Sequence, residues 1–118
     1  VRPVLRALRR ANVHGMAHIT GGGLRNLIRL KANVQFRITE PLPSQGVFTA
    51  LQSLGAVDDS EMYSTFNMGM GFAIVAPPEE AKDIIRAVRP DFSAKVVGEV
   101  VRGQGIQLPE RGLSWTTY

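Results

Sequence analysis

The spacing of apolar residues along the chain predicts helices in some segments and strands in others. Residues 3–11 carry apolar side chains at the i, i+3, i+4 and i+7 spacing of an amphipathic helix, with arginines on the opposite side. Residues 33–39 alternate apolar and polar side chains, which predicts a half-buried strand. Residues 66–76 end in a continuous apolar run, which is typical of a central strand.

Capping residues predict two more helices in the middle of the chain. Ser44 is a suitable N-cap for a helix that runs through Leu54. Asp58 and Glu61 have the spacing of a capping box, in which each residue satisfies a free backbone N–H of the first helical turn. That spacing predicts a short helical turn over residues 59–64.

The remaining segments complete an architecture of alternating helices and strands. Residues 13–20 form an extended segment that enters three consecutive glycines, and a short helix follows the glycines. A further helix opens after Pro78 and ends at Pro90, and a final β region covers residues 96–108. Residues 114–118 carry no pattern that predicts an element. This order predicts an α+β fold with a mixed sheet of about four strands and helices packed on it in layers.

Composition places the chain among globular proteins and excludes several other classes. With 44% hydrophobic and 20% charged residues, we predict a single folded domain over residues 1–118. There is no cysteine, so disulfides, thiolate metal sites and thiol catalysis are excluded. No run of about 20 apolar residues and no secretory signal is visible, which predicts a cytoplasmic protein without a membrane partner. The first helix begins near residue 1 without an initiator methionine, so we expect part of a longer protein.

The net charge of +4 conceals an uneven distribution. Residues 1–39 contain eight bases and no acid, whereas residues 40–118 contain six bases and ten acids. The N-terminal third should therefore attract phosphate, nucleic acid or an acidic protein surface, unless its arginines only solvate a helix face. The first aromatic residue is Phe36, so this basic region lacks the stacking platforms of a nucleic-acid site. We expect no nucleic-acid partner.

The segment His18–Leu24 is the first candidate for chemistry because it joins a predicted strand to a predicted helix through three glycines. Glycines let the backbone approach a ligand closely, and the free N–H groups at the start of a helix favour an anion. Thr20 can add a hydroxyl and Arg25 a charge. The segment matches neither a Walker loop nor a dinucleotide fingerprint. The alternative is that the glycines only permit a tight turn.

The segment Phe66–Gly71 is the second candidate. Glycines at alternate positions leave one side of an extended chain bare, so either a ligand or a neighbouring helix should approach it. His14 and His18 have no third ligand near them in the sequence, so we expect no metal site in this chain. His18 is suited to proton transfer or to donating a hydrogen bond, and equally to a structural hydrogen bond.

Together these two segments resemble a known enzyme family. Ala17–Leu24 with Asn26 and Leu27, followed by Glu61–Gly71, closely resembles the C-terminal domain of the phosphoribosylformylglycinamidine cyclo-ligases, also called aminoimidazole ribonucleotide synthetases. The resemblance spans nearly the whole chain. It implies a two-domain subunit that forms a homodimer through N-terminal domains absent from this chain.

The resemblance also implies a reaction in purine biosynthesis. The family uses ATP to activate the formyl amide oxygen of formylglycinamidine ribonucleotide, after which the amidine nitrogen closes the imidazole ring with loss of phosphate. ATP and magnesium would be held mainly by the missing N-terminal domain. We therefore expect residues 1–118 alone to be inactive. The alternatives are a non-catalytic phosphate- or nucleotide-binding module and a domain of another enzyme of the same ATP-dependent superfamily.

Site roles follow from the resemblance residue by residue. His18 is the expected catalytic residue, as a polar or proton-handling contact to the ribonucleotide substrate. The backbone amides of Gly22 and Gly23 are expected to help hold a phosphate, either of the substrate or of the nucleotide. The full set of expected substrate- and phosphate-binding residues is Thr20, Gly21, Gly22, Gly23, Asn26, Asn67, Gly69 and Gly71.

Overall fold

The chain contributes two segments to each of two structural units in the computed structural model, which describes residues 1–118. Unit 1 comprises Val1–Met16 and Ile74–Val96, and unit 2 comprises Ala17–Ala73 and Val97–Tyr118. The sequence predicted one domain over residues 1–118, and the contacts divide that domain into these two units.

The helices and strands follow the predicted order, with additions at the C-terminal end. In chain order they are α1 (Arg2–Arg10), β1 (Gly15–His18), β2 (Val34–Ile38), α2 (Gly46–Gly55), α3 (Asp59–Thr65), β3 (Phe72–Val75), α4 (Ala81–Val88), β4 (Gly98–Arg102), β5 (Gly105–Leu108) and β6 (Leu113–Trp115). Three 3-10 helices cover Gly23–Arg29, Pro78–Glu80 and Pro109–Arg111. No helix is long and apolar enough to span a bilayer.

Unit 1 is built on the contact between α1 and α4. The small side chains of Ala7 and Ala87 are buried together with Ile84, and partly buried apolar residues surround them. The guanidinium of Arg6 donates to the carbonyl oxygen of Ala87 at 3.0 Å and pairs with Asp91. The helix predicted over residues 3–11 forms, but its packed side differs from the predicted one, because Ala7 is buried and Arg6 lies at the contact while Leu5 and Leu8 are exposed.

Unit 2 is built on a four-stranded mixed sheet in the order β4-β2-β5-β6. Strand β2 runs antiparallel to β4 and parallel to β5, and β6 is antiparallel to β5. The alternation in β2 buries Phe36 and Ile38, and Phe36 lies opposite Ile106 of β5. The 3-10 helix Gly23–Arg29 contacts β5 and buries Leu24 and Leu27. The predicted α+β fold with a mixed sheet of four strands is confirmed.

The strand predicted over residues 66–76 is wrong in its extent and its place. The structure forms only β3, and its sole partner is β1, in a separate two-stranded sheet. Met68 and Gly69 have φ angles of 50° and 94°, and the N–H of Gly69 donates to the side-chain oxygen of Asn67 at 3.0 Å. This turn interrupts the predicted strand, so extended backbone begins only at Phe72.

Two boundaries also differ from the sequence-based prediction. Helix α2 begins at Gly46 behind Gln45, with no side-chain cap, so the N-cap assigned to Ser44 is wrong. The tail, which carried no pattern, supplies β6 as an edge strand of the main sheet. By contrast, Asp58 caps α3 as predicted, because its carboxylate accepts from the N–H of Glu61 at 2.8 Å. The reciprocal bond of the capping box is not formed, since the carboxylate of Glu61 accepts from the hydroxyl of Thr65 instead.

Candidate functional site

The three glycines form a tight turn between β1 and the 3-10 helix Gly23–Arg29. The N–H of Gly23 donates to the carbonyl oxygen of Thr20 at 2.9 Å, and Gly22 has a φ of 96°. The buried side-chain amide of Asn26 donates to the carbonyl oxygens of Gly21 at 3.3 Å and Gly23 at 2.9 Å. Asn26 therefore holds the loop in shape from beneath, through contacts that lie within the chain.

The glycines of the two segments differ in how much space a side chain would find at each position. A Cβ on Gly23 would collide with the carbonyl oxygens of Tyr63 and Phe66 near the end of α3. A Cβ on Gly69 would likewise collide with the carbonyl oxygen of Pro43. At these two positions the close approach that the sequence indicated is made by the chain's own backbone. Gly21 has no heavy atom within 4 Å of its would-be Cβ, so that part of the loop is open.

The two candidate segments meet in the structure. The N–H of Ile19 donates to the carbonyl oxygen of Gly71 at 3.0 Å, which places the end of β1 beside the second segment. His18 is exposed at this junction, and its ring centroid lies 6.3 Å from that of Phe72. The imidazole of His18 makes no hydrogen bond to the chain, so the structural bond considered from sequence is not formed.

The predicted residues divide into those with internal partners and those that face outward. Asn26 and Asn67 hold turns through their side chains, and the N–H of Gly23 is used by Thr20. The amide of Gly23 is thus engaged within the chain in this conformation, although the sequence counted it among the phosphate donors. The exposed members of the predicted set are His18, Thr20, Gly21 and Gly71.

Sequence reasoning missed two residues beside the glycine loop, Arg29 and Tyr118. A Cβ on Gly22 would lie 2.7 Å from the hydroxyl oxygen of Tyr118, so this phenol rests against the loop. The guanidinium carbon of Arg29 lies 3.6 Å from the centroid of the Tyr118 ring, and that of Arg25 lies 5.6 Å from it. The four-residue spacing of the arginines was visible in the sequence, whereas nothing there placed Tyr118 near them.

The chain offers no evident metal centre. No group of three or more His, Asp or Glu side chains is placed to hold a metal ion. The carboxylate of Glu61, the acid nearest to both segments in the sequence, accepts a hydrogen bond from the hydroxyl of Thr65 at 3.1 Å. Glu61 is therefore engaged within α3, and no ready-made set of three such side chains is available to a metal ion.

Fold and site define an α+β domain in which a glycine loop, flanked by bases, opens beside an exposed histidine. Residues 1–109 match the family described as AIR synthase related protein, C-terminal domain, and the chain belongs to that family. The match includes segments of both structural units.

Curated relatives carry the name phosphoribosylformylglycinamidine cyclo-ligase. The chain is 47% identical over 106 residues to the protein of Methanopyrus kandleri, covering 90% of this chain and 31% of the relative. It is 36% identical over 118 residues to that of Thermoplasma volcanium, covering 100% of this chain and 35% of the relative. It is 44% identical over 101 residues to that of Methanococcus maripaludis strain C6, covering 85% of this chain and 29% of the relative. The chain thus spans about a third of the length of these relatives.

Proposed function

We propose that this chain is the C-terminal domain of an ATP-dependent cyclo-ligase that converts formylglycinamidine ribonucleotide into aminoimidazole ribonucleotide in purine biosynthesis. The observation that carries the proposal is the hydrogen bond between Ile19 and Gly71, which joins the two family-like segments at one place. The names of the relatives support the same reaction. We assign the protein to the cytoplasm, as a homodimer through its N-terminal domains.

The exposed residues at the junction of the two segments are placed to form part of the wall of an active cleft. His18 is exposed and without a partner in the chain, so its imidazole can donate to, or accept a proton from, the ring-closing substrate. Thr20, Gly21 and Gly22 offer a hydroxyl and backbone amides to a phosphate. The buried Asn26 keeps these donors in position.

ATP and magnesium belong, in this proposal, to the part of the full-length protein outside residues 1–118. Magnesium, when bound, compensates the negative charge that develops on a transferred phosphate. The chain has no carboxylate cluster for it, so its ligands are assigned to the N-terminal domain. The role left to this chain is to bind and orient the ribonucleotide.

A chimeric enzyme tests the proposal. The chain would replace the equivalent C-terminal part of the Methanopyrus kandleri cyclo-ligase, to which it is 47% identical. We expect ATP-dependent formation of aminoimidazole ribonucleotide, followed as product per enzyme, and loss of at least about a hundredfold in kcat for His18→Ala. Lys31→Ala, which removes a nearby exposed side chain without touching the junction, is the matched control.

Measuring ligand binding to the chain alone distinguishes the cyclo-ligase domain from the alternative, a non-catalytic phosphate- or nucleotide-binding module. A stand-alone phosphate or nucleotide sensor would bind ATP or a ribonucleotide monophosphate with micromolar affinity in calorimetry. Half of an active cleft would bind either one only weakly. A folded but inactive chimera together with micromolar binding to the chain would overturn the cyclo-ligase proposal.

A further inference from the structure

Arg25, Arg29 and Tyr118 form a cluster against the glycine loop, called here the Arg–Tyr cluster. Both arginines project from the 3-10 helix Gly23–Arg29 over the same aromatic ring, at 5.6 Å and 3.6 Å from its centroid. The phenol oxygen of that ring lies against Gly22. Two guanidinium groups and one hydroxyl therefore lie around one ring beside the glycine loop, all within unit 2.

Neither arginine of the cluster forms an ion pair with a carboxylate of the chain. The three ion pairs of the structure involve Arg6, Arg86 and Arg111, and neither Arg25 nor Arg29 has a carboxylate within 4.0 Å. Both guanidinium charges therefore lack an ion-pair partner, and contact with an aromatic face compensates only part of that imbalance. An anion at the cluster would remove the imbalance.

The hydrogen-bond donors of the cluster are also incompletely used. The Nη2 of Arg25 donates to the carbonyl oxygen of Ser64 at 3.2 Å, but its Nε is buried and has no partner. An unpaired buried donor is costly, so the hydrogen-bonding capacity of Arg25 is incompletely satisfied. Arg29 donates to no group of the chain, so all of its N–H groups are available.

The geometry of Arg29 explains how the ring can serve a ligand site. A guanidinium has its five N–H groups in one plane, so a contact through its face leaves the donating edges free. Tyr118 thereby limits the motion of the Arg29 side chain without using its donors, and this lowers the entropy lost on binding. Such edges match the paired oxygens of a phosphate.

We propose that the Arg–Tyr cluster is a phosphate-binding subsite, with Arg25 and Arg29 as the charged donors and Tyr118 as a positioning residue. The proposal deepens the function proposed above and rests on it for the source of the phosphate. That source is either the 5′-phosphate of the ribonucleotide or the polyphosphate of the nucleotide. The subsite itself is a property of this chain.

Nuclear magnetic resonance tests the subsite directly. Titrating the chain, and the chimera, with ribose 5-phosphate and separately with inorganic triphosphate should shift the Arg25 Nε–Hε, Arg29 Nε–Hε and Gly22 amide signals at one common dissociation constant. The compound that binds more tightly identifies the source. Absence of shifts at these three groups with either compound, in both proteins, would overturn the proposal.

Matched variants separate a built subsite from diffuse charge. Arg29→Gln should weaken phosphate binding by about tenfold, whereas Lys31→Gln, an equal loss of charge close by, should change it by less than about twofold. Equal effects of the two variants would mean that only the general positive field attracts phosphate, which contradicts the proposal.

Variants of Tyr118 test its positioning role. Tyr118→Phe keeps the ring and should retain phosphate binding within about threefold, whereas Tyr118→Leu should lose more because Arg29 becomes free to move. Tighter binding by Tyr118→Leu would show that the ring covers the loop instead of supporting a ligand, and would overturn this part. Because these experiments measure binding, a failed subsite is distinguishable from a chimera that lacks cyclo-ligase activity.

Discussion

Gly21, Gly22 and Gly23 are consecutive residues with three different surroundings. Gly21 has open space around it, and Gly23 lies against the backbone of α3. Gly22 has a φ of 96° and contacts the phenol of Tyr118. At the scale of single residues, these surroundings determine what each glycine contributes. Only Gly21 combines space for a side chain with an ordinary φ.

Substitution by alanine should therefore give opposite results at the two ends of the loop. Gly23→Ala places a Cβ against the carbonyl oxygens of Tyr63 and Phe66, and we expect a loss of at least about 2 kcal/mol in the free energy of unfolding. Gly21→Ala should change it by no more than about 0.5 kcal/mol. Urea denaturation measures both, and equal stabilities of the two variants would contradict the packing described here.

Valine in the loop tests function separately from folding. From the sequence we predict that Gly22→Val abolishes activity while the domain stays folded. With φ at 96° and the Tyr118 hydroxyl adjacent, that substitution should also cost about 1–3 kcal/mol of stability. Gly21→Val is the cleaner probe, since it should leave the melting temperature unchanged and still lower ring closure by the chimera. Full activity of Gly21→Val would exclude close approach of a ligand to this glycine.

Asp59 connects three helical elements of unit 2. Its carboxylate accepts from the side-chain amide of Gln52 in α2 at 2.8 Å and pairs with Arg111 of the 3-10 helix Pro109–Arg111 at 2.9 Å. These hydrogen bonds, first that of Gln52 and then that of Arg111, hold the pKa of Asp59 below its ordinary value of 3.8. The same pair raises the pKa of Arg111.

The lowered pKa sets the direction of a pH effect at the scale of elements. Because the folded state favours the ionised form of Asp59, its contribution to stability is present above pH 3.8 and is lost as the pH falls through the lower folded pKa. Asp59→Asn should cost about 0.2–1 kcal/mol at pH 7, less in high salt, and nothing at the acid end. Thermal unfolding across pH measures this, and a constant difference at every pH would contradict it.

Helix α2 exposes most of its apolar side chains, and only Phe48 is half-buried, with its ring centroid 5.7 Å from that of Phe66. None of its residues is buried, and Leu54 is 88% exposed, whereas Met62 of the neighbouring α3 is 0% exposed. We expect Leu54→Ala to change the free energy of unfolding by no more than about 0.5 kcal/mol and Met62→Ala to lower it by about 2–5 kcal/mol. Chemical denaturation distinguishes them, and a large loss in Leu54→Ala would mean that α2 packs more tightly than described.

At the scale of the whole chain, the excess of positive charge belongs to unit 1, whereas the glycine loop lies in unit 2. Unit 1 holds eight bases and four acids, and unit 2 holds six of each. The basic N-terminal third predicted from the sequence is thus divided between the units. In unit 2 the positive charge near the glycine loop is a local effect of Arg25 and Arg29, balanced by acids elsewhere in the same unit.

Residues 1–118 alone should not catalyse ring closure. Without a metal site the charge on a transferred phosphate is uncompensated, which costs at least several kcal/mol, or more than about a thousandfold in rate. We expect no aminoimidazole ribonucleotide from the purified chain with ATP and magnesium, and product from the chimera assayed beside it. Measurable cyclisation by the chain alone would refute the proposed assignment of the magnesium site to an N-terminal domain.

The sequence by itself determined the elements whose signals are local. The alternation of Val34–Ile38, the amphipathic spacing of α1 and the capping of α3 by Asp58 each depend on residues within a few positions of one another. The two motif segments were also visible, because each is a continuous run of residues. From these signals the α+β class, the mixed sheet and the family followed.

Only the tertiary structure decided which elements become neighbours and which donors remain free. β3 looked central because a run of apolar residues does not reveal its partners, and it pairs with β1 alone. Equally, the residues at 23 and 69 contact backbone more than 25 positions away, so their packing role was invisible locally. Tyr118 reaches Arg29 across 89 positions, a contact that arises when β6 joins the sheet and brings the tail to the loop. Long-range pairing depends on packing of the whole unit, which no short window of sequence encodes.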